Sequence, residues 1–147
     1  MSQSEPSSVV EMSVDDAYRF LQDHADAQLV DVRTHAEWSY VGVPDLPFSD
    51  ADPILLQWQI YPDMNVDASF TSRLDQELTR RGLDANAPLL FLCRSGARSR
   101  SAAAAMIAAG HRVCVNVTEG FEGPLDAHGH RGAVAGWRAA GLPWRQS

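Results

Sequence analysis

Leu89-Leu90-Phe91-Leu92 is an unbroken apolar run, entered from Pro88 and left through a cysteine. A short run without alternation suits a strand buried on both faces, the habit of parallel sheets covered by helices. Shortly after it, residues 101–109 are nearly all alanine, with Met106 and Ile107. That is strong helix propensity in side chains small enough to pack closely on a sheet. Buried strand, short polar loop and helix, in that order, make a βα unit whose loop lies at the carboxyl end of the sheet. Open α/β folds bind their ligands there.

The loop itself reads Cys93-Arg94-Ser95-Gly96-Ala97-Arg98-Ser99. Successive backbone N–H groups in such a turn can converge as an anion nest, and the helix N-terminus adds partial positive charge. Two arginines add full charges. A cysteine at the first position is thereby placed to react as its thiolate, a nucleophile in a cup built for anions. The alternative is a structural cysteine at a strand end, which does not account for a glycine and two arginines beside it.

Charge narrows the function classes. The 147 residues carry a net charge of −7, which argues against a nucleic-acid partner, since such proteins present a basic face. Against that acidic background Arg94, Arg98 and Arg100 form the densest positive cluster. Every basic residue other than histidine is arginine, so Schiff-base lysine chemistry and a Walker-type phosphate loop are excluded. Two cysteines, Cys93 and Cys114, do not make a disulfide scaffold and fit a reducing compartment. The first ten residues lack the apolar centre of a signal peptide, and no run approaches a membrane span. The expectation is a cytoplasmic protein with no membrane partner.

Residues 1–8 read as a disordered Ser/Gln/Pro tail, and 9–147 as a single domain. Ser13, followed by Asp15 and Asp16, caps a helix expected over 14–24. Residues 28–33 form a second buried strand, with Asp31 and Arg33 at its functional end. Arg33 is placed either to pair with Glu37 or to brace the cysteine loop. Thr34 and Glu37 match a capping box for a short helix through Trp38 and Tyr40, stopped by Gly42 and Pro44. Residues 54–61 are expected as a strand. Trp38, Tyr40, Trp58 and Tyr61 form either an aromatic wall beside the site or part of the core. Asp67 is expected to cap a helix over 68–81, with Phe70, Leu74 and Leu78 on one face. Residues 112–117 alternate as a further strand with Cys114 as a small buried hydrophobe. Asp126, His128 and His130 are weak evidence for a metal, and a solvated loop is the better reading. Residues 136–144 form a short amphipathic segment whose tryptophans dock the end of the chain. Strands alternating with helices imply an α/β three-layer sandwich, a mainly parallel sheet with helices on both faces.

Two stretches carry a family resemblance: Leu29-Val30-Asp31-Val32-Arg33-Thr34 with Glu37-Trp38, and Phe91-Leu92-Cys93-Arg94-Ser95-Gly96-Ala97-Arg98-Ser99. In both, and in their order, the sequence resembles the rhodanese-like domain family over about 9–144. The resemblance implies a sulfurtransferase that carries sulfane sulfur as a persulfide on Cys93. It implies no metal and no cofactor. The amides of Arg94, Ser95, Gly96, Ala97, Arg98 and Ser99 would cradle the terminal sulfur. Arg94 and Arg98 would hold a small anionic donor such as thiosulfate, and Asp31 and Arg33 would support the site. The acceptor would be a thiol, cyanide or a protein. Three departures bear on partner and substrate choice: Val41-Gly42-Val43-Pro44 stands where the family often has Gly-His-Ile-Pro, Gly120-Phe121-Glu122-Gly123 replaces a Gly-Gly pair, and residues 45–67 are unlike a minimal domain.

Two other activities compete. A relay or binding module would hand the persulfide sulfur to one protein partner. Phosphatases and arsenate reductases of related architecture have a longer loop between cysteine and arginine; here four residues separate Cys93 from Arg98. The tighter cup suits one sulfur atom better than a tetrahedral oxyanion, so the phosphatase-like reading is disfavoured.

Overall fold

The computed structural model describes residues 8–60, 63–131 and 134–146. Apart from Ser8, the expected tail lies outside the described residues. Along the chain run β1 (Val10–Met12), α1 (Val14–Asp23), β2 (Gln28–Asp31), α2 (His35–Val41), β3 (Val43–Pro44), β4 (Ile54–Leu55), β5 (Gln59–Ile60) and β6 (Asn65–Val66). There follow α3 (Phe70–Arg80), β7 (Leu89–Leu92), α4 (Ala97–Ala108), β8 (Cys114–Val117) and β9 (Trp144–Arg145).

Five strands form one sheet in the order β1-β8-β7-β2-β4, every pair parallel. The apolar run is its central strand, paired with β2 from Gln28↔Leu89 to Asp31↔Leu92. Alternation along a strand divides the core in two. Leu89, Phe91 and Cys93 face Phe70, Leu74 and Leu78 of α3 and Ala102, Ala103 and Met106 of α4. Leu90 and Leu92 face Val14, Ala17 and Leu21 of α1, together with Phe121 and Trp137. Helices thus cover both faces of a parallel sheet, the three-layer α/β sandwich read from the sequence. Among the described residues no helix is long and apolar enough to cross a membrane.

Local chemistry explains the helix starts. The Ser13 hydroxyl accepts from Asp16 N at the head of α1, and Thr34 and Glu37 make the full capping box of α2. α4 begins at Ala97 rather than 101, because Gly96 takes a left-handed φ of 110° and turns the chain directly into the helix. Arg98, Ser99 and Arg100 therefore sit in its first turn.

Other boundaries also differ. The strand expected over 54–61 is broken into β4, which extends the main sheet, and β5, which pairs antiparallel with β6. Leu56 N donates to Asp31 O and Trp58 N to Val32 O, so the chain is drawn along the end of β2 and bends there. α3 starts at Phe70, because Asp67 accepts from Ser69 N and Oγ and forms a turn ahead of the helix. β8 begins at Cys114, two residues later than expected. The expected amphipathic segment is a series of turns. Within it Trp137 is fully buried, with Nε1 donating to Pro143 O at 2.6 Å, and Trp144 lies in β9, antiparallel to β3.

Candidate active site

The loop after β7 is clamped from the turn that follows β8. Phe121 N donates to Cys93 O at 2.7 Å, and Glu122 N and Gly123 N donate to Arg94 O at 3.0 and 3.1 Å. This contact needs Gly120, whose φ is +70° and where a Cβ would come within 2.5 Å of Arg94 O. The Gly120-to-Gly123 turn therefore acts as a backbone clasp on the loop. Gly96 is equally constrained from the other side: a Cβ there would meet Thr118 O at 2.3 Å.

Cys93 is 1% exposed and is among the residues that line an open cavity of about 750 Å³. Gly96 N donates to Cys93 Sγ at 3.1 Å, and the Ser99 hydroxyl lies 3.2 Å from the same sulfur. Arg94, Ser95, Ala97 and Arg98 line the cavity from the loop; Thr34, Glu37, Met64, Glu122 and Arg131 complete the wall. Arg94 is exposed, and Arg131 donates to Gly123 O at 2.8 Å. The structure thus brings together Cys93 and the loop residues named from sequence, with Ser99 beneath the sulfur rather than at the opening.

Arg98, expected to hold an anion, is engaged by Glu37. Its Nη1 and Nη2 donate to Glu37 Oε1 and Oε2 at 2.7 and 2.9 Å. Burial tends to raise the Glu37 pKa, but the Arg98 guanidinium and the Thr34 backbone and hydroxyl outweigh it and hold the carboxyl at about 2. Glu37 in turn raises Arg98 against the opposing effect of burial. Arg98 therefore ties α2 to α4 across the cavity wall. Arg94 has no side-chain hydrogen bond among the described residues and keeps all its donors for a ligand.

Asp31 and Arg33 are both fully buried. Arg33 Nε and Nη2 donate to Asp31 at 3.0 and 2.7 Å, and Nη2 also reaches Gly42 O at 2.7 Å. Arg33 does not pair with Glu37. It braces the loop at one remove, because its guanidinium lies 4.2 Å from the centre of the Phe121 ring, and Phe121 N holds Cys93 O. No aromatic wall forms among the described residues. Trp58 packs edge-on against Phe70 at 5.1 Å, Tyr40 is 83% exposed, and Trp38 meets His35 outside the cavity; Tyr61 lies outside the described residues. Asp126 accepts from the backbone N–H groups of His128 and His130 and shapes a loop. Among the described residues no group of three metal-ligating side chains converges.

Sequence reading missed the residues behind Ser99. The Ser99 hydroxyl is 2.5 Å from Asn116 Oδ1. Asn116 Nδ2 donates to Glu11 Oε1 at 2.9 Å, and Arg100 closes the chain on Glu11 at 3.0 and 3.2 Å. The signal was present: Asn116 is one polar residue between Val115 and Val117, fully buried, and buried amides are retained where they have partners. Cys114 lies on the same face of β8, where burial pushes its thiol up to about 12.

A rhodanese-like domain model matches residues 13–127. An uncharacterized protein of Rickettsia conorii is 36% identical over 129 residues, 88% of this chain and 91% of that protein. The crystal structure of Rv0390 from M. tuberculosis superposes with a TM-score of 0.83 at 43% identity, covering 96% of this chain and all of that one. A polysulfide-sulfur transferase homodimer from Wolinella succinogenes is similar at TM-score 0.58 and 25% identity, over 95% of this chain and 80% of that one.

Proposed function

This chain belongs to the rhodanese-like domain family, and we propose that it is a sulfurtransferase carrying sulfane sulfur on Cys93. The observation that carries this reading is the setting of Cys93, a residue of the cavity lining with a backbone N–H on its sulfur and Arg94 and Arg131 in the same wall. A thiolate there attacks the outer sulfur of a donor such as thiosulfate. The new S–S bond forms as the donor's S–S bond breaks, and sulfite leaves with the bond's electron pair. Arg94 opposes the charge that develops on the leaving group. The product persulfide is an anion, stabilised by the loop amides that first held the thiolate. An acceptor nucleophile then takes the terminal sulfur and returns Cys93 as thiolate. Both cysteines are free, and the cycle needs Cys93 reduced, which fits the cytoplasmic setting expected from the sequence.

The cavity supports a second reading of the acceptor. About 750 Å³ is far more room than thiosulfate or cyanide fills, and it suits a thiol-bearing molecule or a protein side chain reaching in.

Intact mass after incubation with thiosulfate, then with cyanide, tests the proposal. The expected result is one added sulfur that cyanide removes, present in wild type and Cys114→Ser and absent from Cys93→Ser. Sulfur retained by Cys93→Ser, or none taken up from thiosulfate or any persulfide donor by wild type, would overturn it.

A further inference from the structure

We propose that Asn116, oriented by Glu11, is a positioning residue that fixes the Ser99 hydroxyl as an acceptor toward Cys93 and so withholds a hydrogen bond from the nucleophile. Glu11 and Asn116 are register partners on β1 and β8. Glu11 is a carboxylate, its pKa lowered chiefly by the Arg100 hydrogen bond, and a carboxylate only accepts. The Asn116 group facing it at 2.9 Å is therefore the NH₂, and the carbonyl Oδ1 faces Ser99. At 2.5 Å from that oxygen, Ser99 must donate, since an amide oxygen has no proton to give. A hydroxyl has one proton, so toward Cys93 Sγ at 3.2 Å Ser99 offers a lone pair. Ser99 therefore accepts from S–H and donates nothing to a thiolate, whose donor here is Gly96 N–H. The persulfide has no proton on Sγ and is not penalised in the same way.

The network deepens the proposed function only in taking Cys93 as the reacting group. Other charges also face the sulfur or its cavity: Arg94 from the loop, Arg98 and Arg100 from α4, Glu37 from α2, and Glu122 and Arg131 from the segment after β8. Asp31 lies behind Arg98. Asn116→Leu keeps all of these groups but also removes a donor from Glu11 Oε1, which Arg100 shares at 3.2 Å, so its effect is read against the same substitution in a Ser99→Ala background, where only the Glu11 contribution remains. With Asn116 gone, the Ser99 proton has two acceptors, Gly96 O at 3.2 Å and the thiolate at 3.2 Å, and the full charge makes the thiolate the stronger one.

The test is the pH–rate profile of Cys93 alkylation by iodoacetamide, which uses no sulfur donor, so failure of sulfur loading and failure of this network are separate results. Cys114, pushed up to about 12 by burial, does not compete. In Asn116→Leu the midpoint is expected to fall by about one pH unit, the worth of one hydrogen bond to an anion. The plateau rate is expected to fall about threefold, because a better stabilised thiolate is a weaker nucleophile. An unchanged midpoint in folded Asn116→Leu overturns the proposal. Glu11→Gln, an exposed change, carries the test should Asn116→Leu not fold. Glutamine can donate as well as accept and so frees the amide to turn over. Its midpoint is expected to fall further in wild type than in a Ser99→Ala background. Equal shifts in both backgrounds would reduce Glu11 to a distant charge and overturn the proposal.

Discussion

Arg98 spends both terminal nitrogens on the two carboxylate oxygens of Glu37, bridging α4 to α2 across the wall of the cavity. Such a bidentate pair fixes geometry as well as charge. Under the proposed function it leaves donor binding to Arg94. Arg94→Ala is expected to raise KM for thiosulfate about ten- to a hundredfold, the worth of a charge-assisted hydrogen bond. Arg98→Ala is expected to act mainly through stability. Steady-state kinetics beside urea unfolding separates the two, and a larger KM effect from Arg98→Ala would reverse the assignment.

The same pair makes stability depend on pH. Glu37 titrates at about 2 in the folded protein against an ordinary value of 4.5. The unfolded chain therefore takes up this proton first as pH falls. The contribution of Glu37 is whole above about 4.5 and drains away toward 2. Glu37→Gln is expected to cost about 2 kcal/mol at neutral pH, discounted for its partly exposed setting, and less near pH 3. Urea midpoints for both proteins across that range check this; a cost independent of pH would contradict it.

Asp31 and Arg33 form a buried ion pair, so removing one member strands the other. Arg33→Met alone is expected to destabilise by about 3–5 kcal/mol, and Asp31→Leu/Arg33→Met by distinctly less. A double-mutant cycle in urea reads the coupling. Additive losses would mean that the two charges act independently.

Gly96 combines a φ of +110° with a neighbour 2.3 Å from where a Cβ would lie. Gly96→Ala is expected to cost about 1–3 kcal/mol in backbone strain alone and to push the loop off Thr118. The backbone N–H then leaves Cys93 Sγ. Sulfur loading by mass should be lost while circular dichroism still reports a folded sheet; full loading would show that the nest is not required.

What could be read from the chain was what is local. The apolar run of β7, the alanines of α4 and the Thr34 capping box are each defined within a few residues, and each is present in the structure. Where the reading stopped short, a distant contact decides. Arg98 looks like an anion ligand until Glu37, 61 positions away, arrives beside it. Ile54 and Leu55 read as the start of a longer strand until Asp31 and Val32 capture the amides that follow. Asn116 carries its signal openly, a buried amide among valines, but its use depends on Glu11, 105 positions earlier in the chain.

β1 is three residues long and stands at the rim of the sheet. Short rim strands detach more often than the strands they flank, in excursions far smaller than global unfolding. Glu11 rides on that strand, so on the proposed network a detachment of β1 would carry away the carboxylate that orients Asn116. The reactivity of a sulfur at the middle of the sheet would then follow the fraying of its border.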